Sequence, residues 1–129
     1  MTIEKTAQYI QSCLGDFHPQ TLIILGSGLG GIASLITSPI IIAYKDIPNF
    51  PQTTVAGHKG KLIAGFVAGH AVICMQGRFH LYEGNKPQII NFVIQAIRAL
   101  GVKTMIVTNA AGSLNEEITP GSIMMISDH

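Results

Sequence analysis

Residues 21–33 read TLIILGSGLGGIA, a β-prone apolar run that ends in a stretch where four of six residues are glycine. An apolar run bounded by glycine predicts a buried strand, here over 21–25. Glycine directly after a strand permits a tight turn and lets the backbone come close to another group. This stretch therefore predicts a sheet in which one strand leads straight into a specialised turn.

Three explanations compete for this glycine turn. It contains the G-x-G-x-x-G pattern of dinucleotide-binding folds at Gly26, Gly28 and Gly31, and Asp46 lies where such folds keep a ribose-binding carboxylate. A smaller anion such as phosphate would use the same backbone, with the Ser27 hydroxyl as a further donor. A tight turn without a ligand is the third explanation. Only six residues separate this turn from the next Ser-Pro pair, too few for a crossover helix, so a dinucleotide-binding domain is the remote alternative.

Outward from the turn, helical and strand patterns alternate along the chain. Apolar residues at helical spacing predict an amphipathic helix within 1–15, and a single polar stripe predicts a second, largely buried helix over 87–100. A hairpin is predicted over 61–76, and further strands are predicted at 40–44, 104–108 and 122–127. The last two strands are expected to be buried. The pattern is typical of an α/β fold with much of its sheet buried on both faces.

Composition narrows the class of protein. The 129 residues suffice for one domain, with 47% apolar and 12% charged residues and a net charge of +1. No apolar run approaches the ~20 residues of a membrane helix, and the absence of a basic run argues against a nucleic-acid partner. The first residues mix charged with apolar side chains, unlike a signal peptide. Cys13 and Cys74 form no disulfide framework and are predicted to be reduced, buried thiols of a cytosolic protein.

Polar residues gather in three further loops where predicted strands end, at 56–60, 77–84 and 108–113. Arg78, one of only two arginines in the chain, follows an apolar strand and is close to His80 and Glu83. A planar guanidinium is suited to bidentate capture of an oxyanion, although an ordinary Arg78–Glu83 ion pair would explain the same residues. Because ligands of open α/β sheets bind outside the carboxyl ends of strands, we predict one shared anion site.

Other chemistry is less well supported by the residues. His58, His80 and Glu83 are conceivable zinc ligands, but the chain has no H-E-x-x-H, no C-x-x-C and no histidine pair four residues apart. We therefore predict no metal site. The sequence GSGLG is not the G-x-S-x-G turn of serine hydrolases. His18 and His70 lie in predicted turns, where we expect them to be exposed.

Five motifs, in this order and spacing, resemble the N-terminal part of the trimeric purine nucleoside phosphorylase family: LGSGLGG, GHKGKLIAG, QGRFHLYEG, VTNAAGSLN and PGSIMMISDH. The resemblance covers essentially the whole chain, and GRFHLYEG together with TNAAG is its most specific part. The Arg-Phe-His triplet favours this family over the related methylthioadenosine phosphorylases. The resemblance implies a mixed, largely buried central sheet flanked by helices, with residues 1–129 forming the N-terminal portion of a single nucleoside phosphorylase domain.

The resemblance also implies an activity. Members of the family are pentosyltransferases that cleave the N-glycosidic bond of purine ribonucleosides and 2'-deoxyribonucleosides with inorganic phosphate, giving free base and (deoxy)ribose 1-phosphate. A cytoplasmic homotrimer acting in purine salvage is implied, with inorganic phosphate as co-substrate and with no metal, organic cofactor, nucleic acid or membrane involved.

Matched position by position, the family pattern assigns roles to eight residues. Beside these eight, Gly26 and Gly28 would let the main chain bring N–H groups against phosphate. The implied phosphate ligands are Ser27, His58, Arg78, His80 and the amide of Ala110. The implied ribose or nucleoside contacts are Tyr82 and Asn109. The implied catalytic residues are His80, Arg78 and Glu83, with Glu83 holding the phosphate clamp.

Two departures from the family pattern bear on function. Ser113 stands where the family usually has a glycine. The family residues that grip the purine lie beyond the position matching His129, so we expect this chain to be the N-terminal part of a longer phosphorylase. A non-catalytic phosphate-binding fragment of the same family is therefore the main alternative to an enzyme. Alone, the chain is expected to bind phosphate weakly and to associate through an uncovered sheet.

Overall fold

The computed structural model describes residues 2–52, 60–81 and 84–128. Its centre is a five-stranded sheet with the order β2-β3-β4-β1-β5. The strands are β1 Thr21–Ile24, β2 Thr37–Ala43, β3 Lys61–Val67, β4 His70–Gln76 and β5 Thr104–Val107. The α-helices are α1 Ile3–Leu14 and α2 Pro87–Arg98, and short 3-10 helices span Gly30–Leu35 and Tyr44–Asp46. Within these ranges no helix is long and apolar enough to cross a membrane.

The sheet is mixed. β2, β3 and β4 are antiparallel neighbours, whereas β4, β1 and β5 run parallel. In the parallel register Ile24 is paired with Met75 on one side and with Val107 on the other. The carboxyl ends of these three strands therefore lie at the same edge of the sheet.

The helices form where the apolar spacing predicts them. Thr6, Ala7, Ile10 and Leu14 form the buried face of α1, which ends at Gly15 with a φ of 60°. Pro87 opens α2, where a proline costs no helical hydrogen bond, and Gly101 follows its end with a φ of 95°.

The core lies on both faces of β3 and β4, as predicted. On one face, α1 and α2 pack on the sheet around Leu22, Leu62 and Ile73. On the other face, the Gly30–Leu35 helix covers a smaller cluster that includes Val72 and Cys74. The predicted mixed α/β architecture with a central sheet flanked by helices is confirmed.

The prediction of two buried strands in the last quarter of the chain is wrong. β5 forms, but it lies at the sheet edge, and each of its four residues is exposed. Residues 122–127 form no strand and are exposed, since no strand of the described chain pairs with them. An apolar run is buried only where a neighbouring element covers it. Cys74 is buried as predicted, whereas Cys13 lies on the exposed side of α1.

The strand after the glycine turn decides against a dinucleotide-binding domain. In that fold the next strand would lie beside β1 and parallel to it. Here β2 is at the far edge of the sheet, antiparallel to β3, and only a six-residue 3-10 helix leads to it. β2 also begins at Thr37, earlier than predicted, because Pro39 is tolerated in an edge strand. Asp46 is exposed in a 3-10 turn.

Candidate functional site

Three loops meet where the parallel strands end. The glycine loop, residues 25–29, follows β1; the Arg78 loop, residues 77–81, follows β4; and the Thr108 loop, residues 108–110, follows β5. Side-chain hydrogen bonds join all three loops, although the residues they connect are far apart in the chain. The sheet order thus brings three of the four loops that the sequence predicts to share a site to the same edge, while the loop 56–60 lies, apart from Gly60, outside the described residues.

Gly26 brings the glycine loop against the Thr108 loop. Its amide donates to the Thr108 Oγ1 at 2.8 Å, and the same hydroxyl donates to the Ile24 carbonyl at 2.8 Å. A Cβ at Gly26 would lie 2.6 Å from the Thr108 carbonyl oxygen and 2.9 Å from the Asn109 Cα. Glycine is needed here for the approach of two backbones. Because the Gly26 amide already donates to Thr108, the amides that this loop offers to a ligand are those that follow Gly26.

The tip of the glycine loop has the geometry of an anion-binding turn. The Leu29 amide donates to the Gly26 carbonyl at 3.2 Å, and Gly28 has a φ of 81°. Ser27 and Gly28 are exposed, and their amides donate to no group of the described chain. Successive amides at a left-handed turn form a concavity that binds anions. The amides of Ser27 and Gly28, with the Ser27 hydroxyl, are therefore the donors that this loop offers.

Arg78 is half-buried, and two hydrogen bonds fix its guanidinium. Nη1 donates to the Thr108 carbonyl at 3.1 Å, and Nε donates to His80 Nε2 at 3.1 Å. Because His80 Nε2 accepts this bond, the proton of the neutral ring is on Nδ1. A guanidinium has five N–H donors, so further donors remain for a ligand. Arg78 and His80 are thus brought together as predicted.

An aromatic cluster anchors the Arg78 loop from below. The Tyr44 hydroxyl donates to the Gly77 carbonyl at 2.6 Å, and burial raises the pKa of Tyr44, which keeps it a neutral donor. The Phe79 ring packs against Tyr44 and Phe50, with centroids 5.3 and 6.1 Å away. On the solvent side, the Asn85 amide donates to the His80 carbonyl at 3.1 Å.

The other predicted site residues are distributed as follows. Ser27, Asn109 and Ala110 are exposed at the same sheet edge as Arg78. His58, Tyr82 and Glu83 lie outside the described residues, and their roles stay predictions. His18 and His70 are exposed in the structure, as expected. In the described ranges no three His, Cys, Asp or Glu side chains are placed to hold a metal ion.

Two residues have roles at this edge that the sequence does not indicate. Thr108 lies both in the predicted strand 104–108 and in the predicted polar loop 108–113, but the sequence assigns it no role of its own. Tyr44 is predicted only as a strand residue, and nothing in its local sequence indicates its bond to Gly77.

Gln76, the last residue of β4, lies beneath Gly30, and its buried Oε1 accepts no hydrogen bond from the described chain.

Comparison with known proteins agrees with this architecture. Residues 20–129 match the Phosphorylase superfamily. The chain belongs to that superfamily. It is 50% identical to purine nucleoside phosphorylase 1 of Geobacillus stearothermophilus, over 98% of this chain and 46% of that protein. It is 46% identical to the purine nucleoside phosphorylase of Rattus norvegicus, over 98% of this chain and 43% of that protein.

A solved structure supports the fold directly. A purine nucleoside phosphorylase in complex with ribose-1-phosphate superposes with a TM-score of 0.86 at 46% identity, covering 92% of this chain and 43% of that one. The family resemblance and the nucleoside phosphorylase fold expected from the sequence are therefore confirmed. The chain spans less than half the length of these relatives.

Proposed function

We propose that this superfamily member forms the phosphate-binding part of a purine nucleoside phosphorylase, a pentosyltransferase that cleaves purine ribonucleosides and 2'-deoxyribonucleosides with inorganic phosphate. The observation that carries the proposal is the placement of Arg78. Its guanidinium is fixed by Thr108 and His80 at the edge where the glycine loop also ends. The relatives of this chain are phosphorylases, and a fixed guanidinium beside loop amides suits a phosphate.

In the proposed site, phosphate is bound by Ser27, Arg78 and His80, together with the Ala110 amide and His58. Glu83 orients the Arg78 clamp. Tyr82 and Asn109 contact the ribose. The relative solved with ribose-1-phosphate favours this division, because that compound joins the sugar to the phosphate.

The proposed reaction follows from the charges involved. The C1'–N9 bond breaks and its electron pair leaves with the purine, so the sugar becomes cationic. An oxygen of the bound hydrogen phosphate then forms a bond to C1', and the proton that the phosphate gives up ends on the departing purine, so the products are the neutral base and (deoxy)ribose 1-phosphate. The protein contributes mainly by positioning, and effective molarities of ~10⁵ M or more indicate how much positioning supplies. The anionic phosphate held beneath C1' also stabilises the positive charge that develops on the sugar. The scheme needs no metal and no organic cofactor.

The wider assignment belongs to the same proposal. Residues 1–129 form the N-terminal portion of one nucleoside phosphorylase domain, whose complete form is a cytoplasmic homotrimer acting in purine salvage. Neither a nucleic acid nor a membrane takes part. A non-catalytic phosphate-binding fragment is the second candidate, favoured by the observation that the chain spans under half the length of its relatives.

Calorimetric titration with inorganic phosphate tests the clamp. Arg78→Ala should weaken binding by on the order of 2–5 kcal/mol, since it removes a fixed charge from the site. Arg98→Ala is the matched control: it removes the only other arginine, which is exposed at the end of α2. Arg98→Ala should leave phosphate affinity unchanged. Equal affinities in wild type and Arg78→Ala would refute the clamp.

Release of hypoxanthine from inosine and phosphate separates the two candidates. Turnover by the chain, lost in Arg78→Ala and retained in Arg98→Ala, supports the enzyme. Phosphate binding without turnover supports the fragment.

A further inference from the structure

Among the described residues, Thr108 is the one that bonds to both other loops of the site. Its hydroxyl accepts from the Gly26 amide and donates to the Ile24 carbonyl, both at 2.8 Å. Its amide also donates to the Ile24 carbonyl at 3.1 Å, and its own carbonyl accepts from Arg78 Nη1 at 3.1 Å. One residue thus ties the end of β1, the glycine loop and the guanidinium together.

We infer that Thr108 is a positioning residue, which holds the glycine loop and the Arg78 guanidinium at one fixed spacing so that both face the same anion. The inference rests on the proposed phosphate site. Thr108 itself donates nothing to the ligand, because its hydroxyl and its amide both donate to the Ile24 carbonyl.

The position of Thr108 in the chain explains why its bonds matter. Residues 109–128 are exposed, and the hydrogen bonds of Ser113 and Asn115 stay within that segment. The hydroxyl of Thr108 extends the pairing of β1 and β5 by one residue beyond Ile24 and Val107. Thr108 therefore also fixes the position of Asn109 and Ala110, which follow it directly in the chain.

Two substitutions separate the hydroxyl from the volume of the side chain. Thr108→Val keeps the β-branched shape but removes both hydroxyl bonds, leaving the Gly26 amide without its acceptor. We expect inorganic phosphate to bind roughly tenfold more weakly to this variant in calorimetry. Thr108→Ser retains the hydroxyl and should bind phosphate within about twofold of wild type.

Thr6→Val is a matched control for loss of stability. The buried Thr6 hydroxyl donates to the Pro48 carbonyl at 2.9 Å, so this variant also loses a threonine hydrogen bond, on α1 instead of at the site. It should lower the melting temperature and leave phosphate affinity within about twofold of wild type. Wild-type affinity in Thr108→Val, or an equal loss in Thr6→Val, would overturn the positioning role.

A measurement without phosphate keeps this inference distinct from the proposed function. In NMR spectra of the chain, the Gly26 amide should exchange slowly with solvent in wild type and Thr108→Ser, and fast in Thr108→Val, because its acceptor is the Thr108 hydroxyl. If wild type binds no phosphate, the proposed function fails, and this exchange pattern still decides whether Thr108 fixes the loops. Unchanged exchange in Thr108→Val would overturn the inference.

Discussion

β4 and β5 lie on either side of β1, and both run parallel to it. Both strands are apolar, with VICM at 72–75 and MIV at 105–107. Yet Ile73 of β4 is fully buried, whereas Ile106 of β5 is 46% exposed. The difference comes from their neighbours: β4 has a strand on each side and helices over its faces, while β5 is bonded to β1 alone.

The same contrast applies to the loops that the two strands deliver to the site. The Arg78 loop rests on the aromatic cluster beneath it and on the bond from Tyr44 to Gly77. The Thr108 loop has no such support in the described chain and depends on the hydrogen bonds of Thr108 itself. Aromatic packing therefore holds the Arg78 loop in place, whereas a few hydrogen bonds hold the Thr108 loop.

The largest expected effect compares one isoleucine from each of the two strands. Ile73→Ala should lower the free energy of unfolding by about 2–5 kcal/mol, because it leaves a cavity in the main core. Ile106→Ala should cost about 1 kcal/mol or less, since that side chain is already half exposed. Urea denaturation of both variants measures the difference. Similar losses would show that β5 is buried in solution.

A smaller effect is expected where the two sides of the site touch. Gly26→Ala should destabilise the chain by about 1–3 kcal/mol, because its Cβ would overlap the Thr108 carbonyl. A Cβ at Gly31 would meet no atom within 4 Å, so Gly31→Ala should be neutral or stabilise by up to about 1 kcal/mol. Thermal unfolding compares the two. A neutral Gly26→Ala would contradict the close approach of the loops.

Much of this architecture is predictable from sequence, because it depends on local patterns. Helical spacing gives α1 and α2, and β-prone runs give the hairpin of β3 and β4. Arg78 and His80 are recognisable because few charged or imidazole groups follow strands in this chain. These are properties of residues close together in sequence.

What escapes prediction depends on distant partners. The bond between Gly26 and Thr108 joins residues 82 positions apart, and no local pattern indicates it. The exposure of β5 and the lack of a strand at 122–127 likewise depend on which elements lie beside them. An apolar run indicates that burial is favourable, but the run is buried only where neighbouring elements of the fold cover it.

Removing the support beneath the Arg78 loop should have a modest effect. Tyr44→Phe removes the hydroxyl bond to the Gly77 carbonyl and keeps the ring packing, so we expect a loss of about 1 kcal/mol in unfolding free energy. Tyr9→Phe on α1 is the control and should change stability less. A loss in Tyr9→Phe as large as that in Tyr44→Phe would argue against the anchoring role.

The smallest expected effect on stability at neutral pH concerns the thiol of Cys74 in β4. Burial raises the pKa of Cys74 from 9.0 to about 11. The folded state therefore holds this proton more tightly than the unfolded state, and the thiol's contribution to stability is complete below pH 9 and decreases as the pH rises towards 11. Cys74→Ala should flatten that decrease. In thiol titration Cys13 should react at once and Cys74 only on unfolding; rapid reaction of both would contradict the burial of β4.

We propose that the loops after β1, β4 and β5 form one anion site. The position of a bound phosphate analogue between these loops is the measurement that decides this. Crystals of the chain soaked in arsenate would show the anion by its anomalous scattering. We expect one peak roughly 4 Å from both the Ser27 hydroxyl and the Arg78 guanidinium, since each donor would bond to an arsenate oxygen at about 2.8 Å and not to the arsenic itself. Arg98 and Lys103 are basic residues that line a different groove, between α2 and β5. A peak at that groove alone, or no peak beside Arg78, would show that the three loops do not form one anion site.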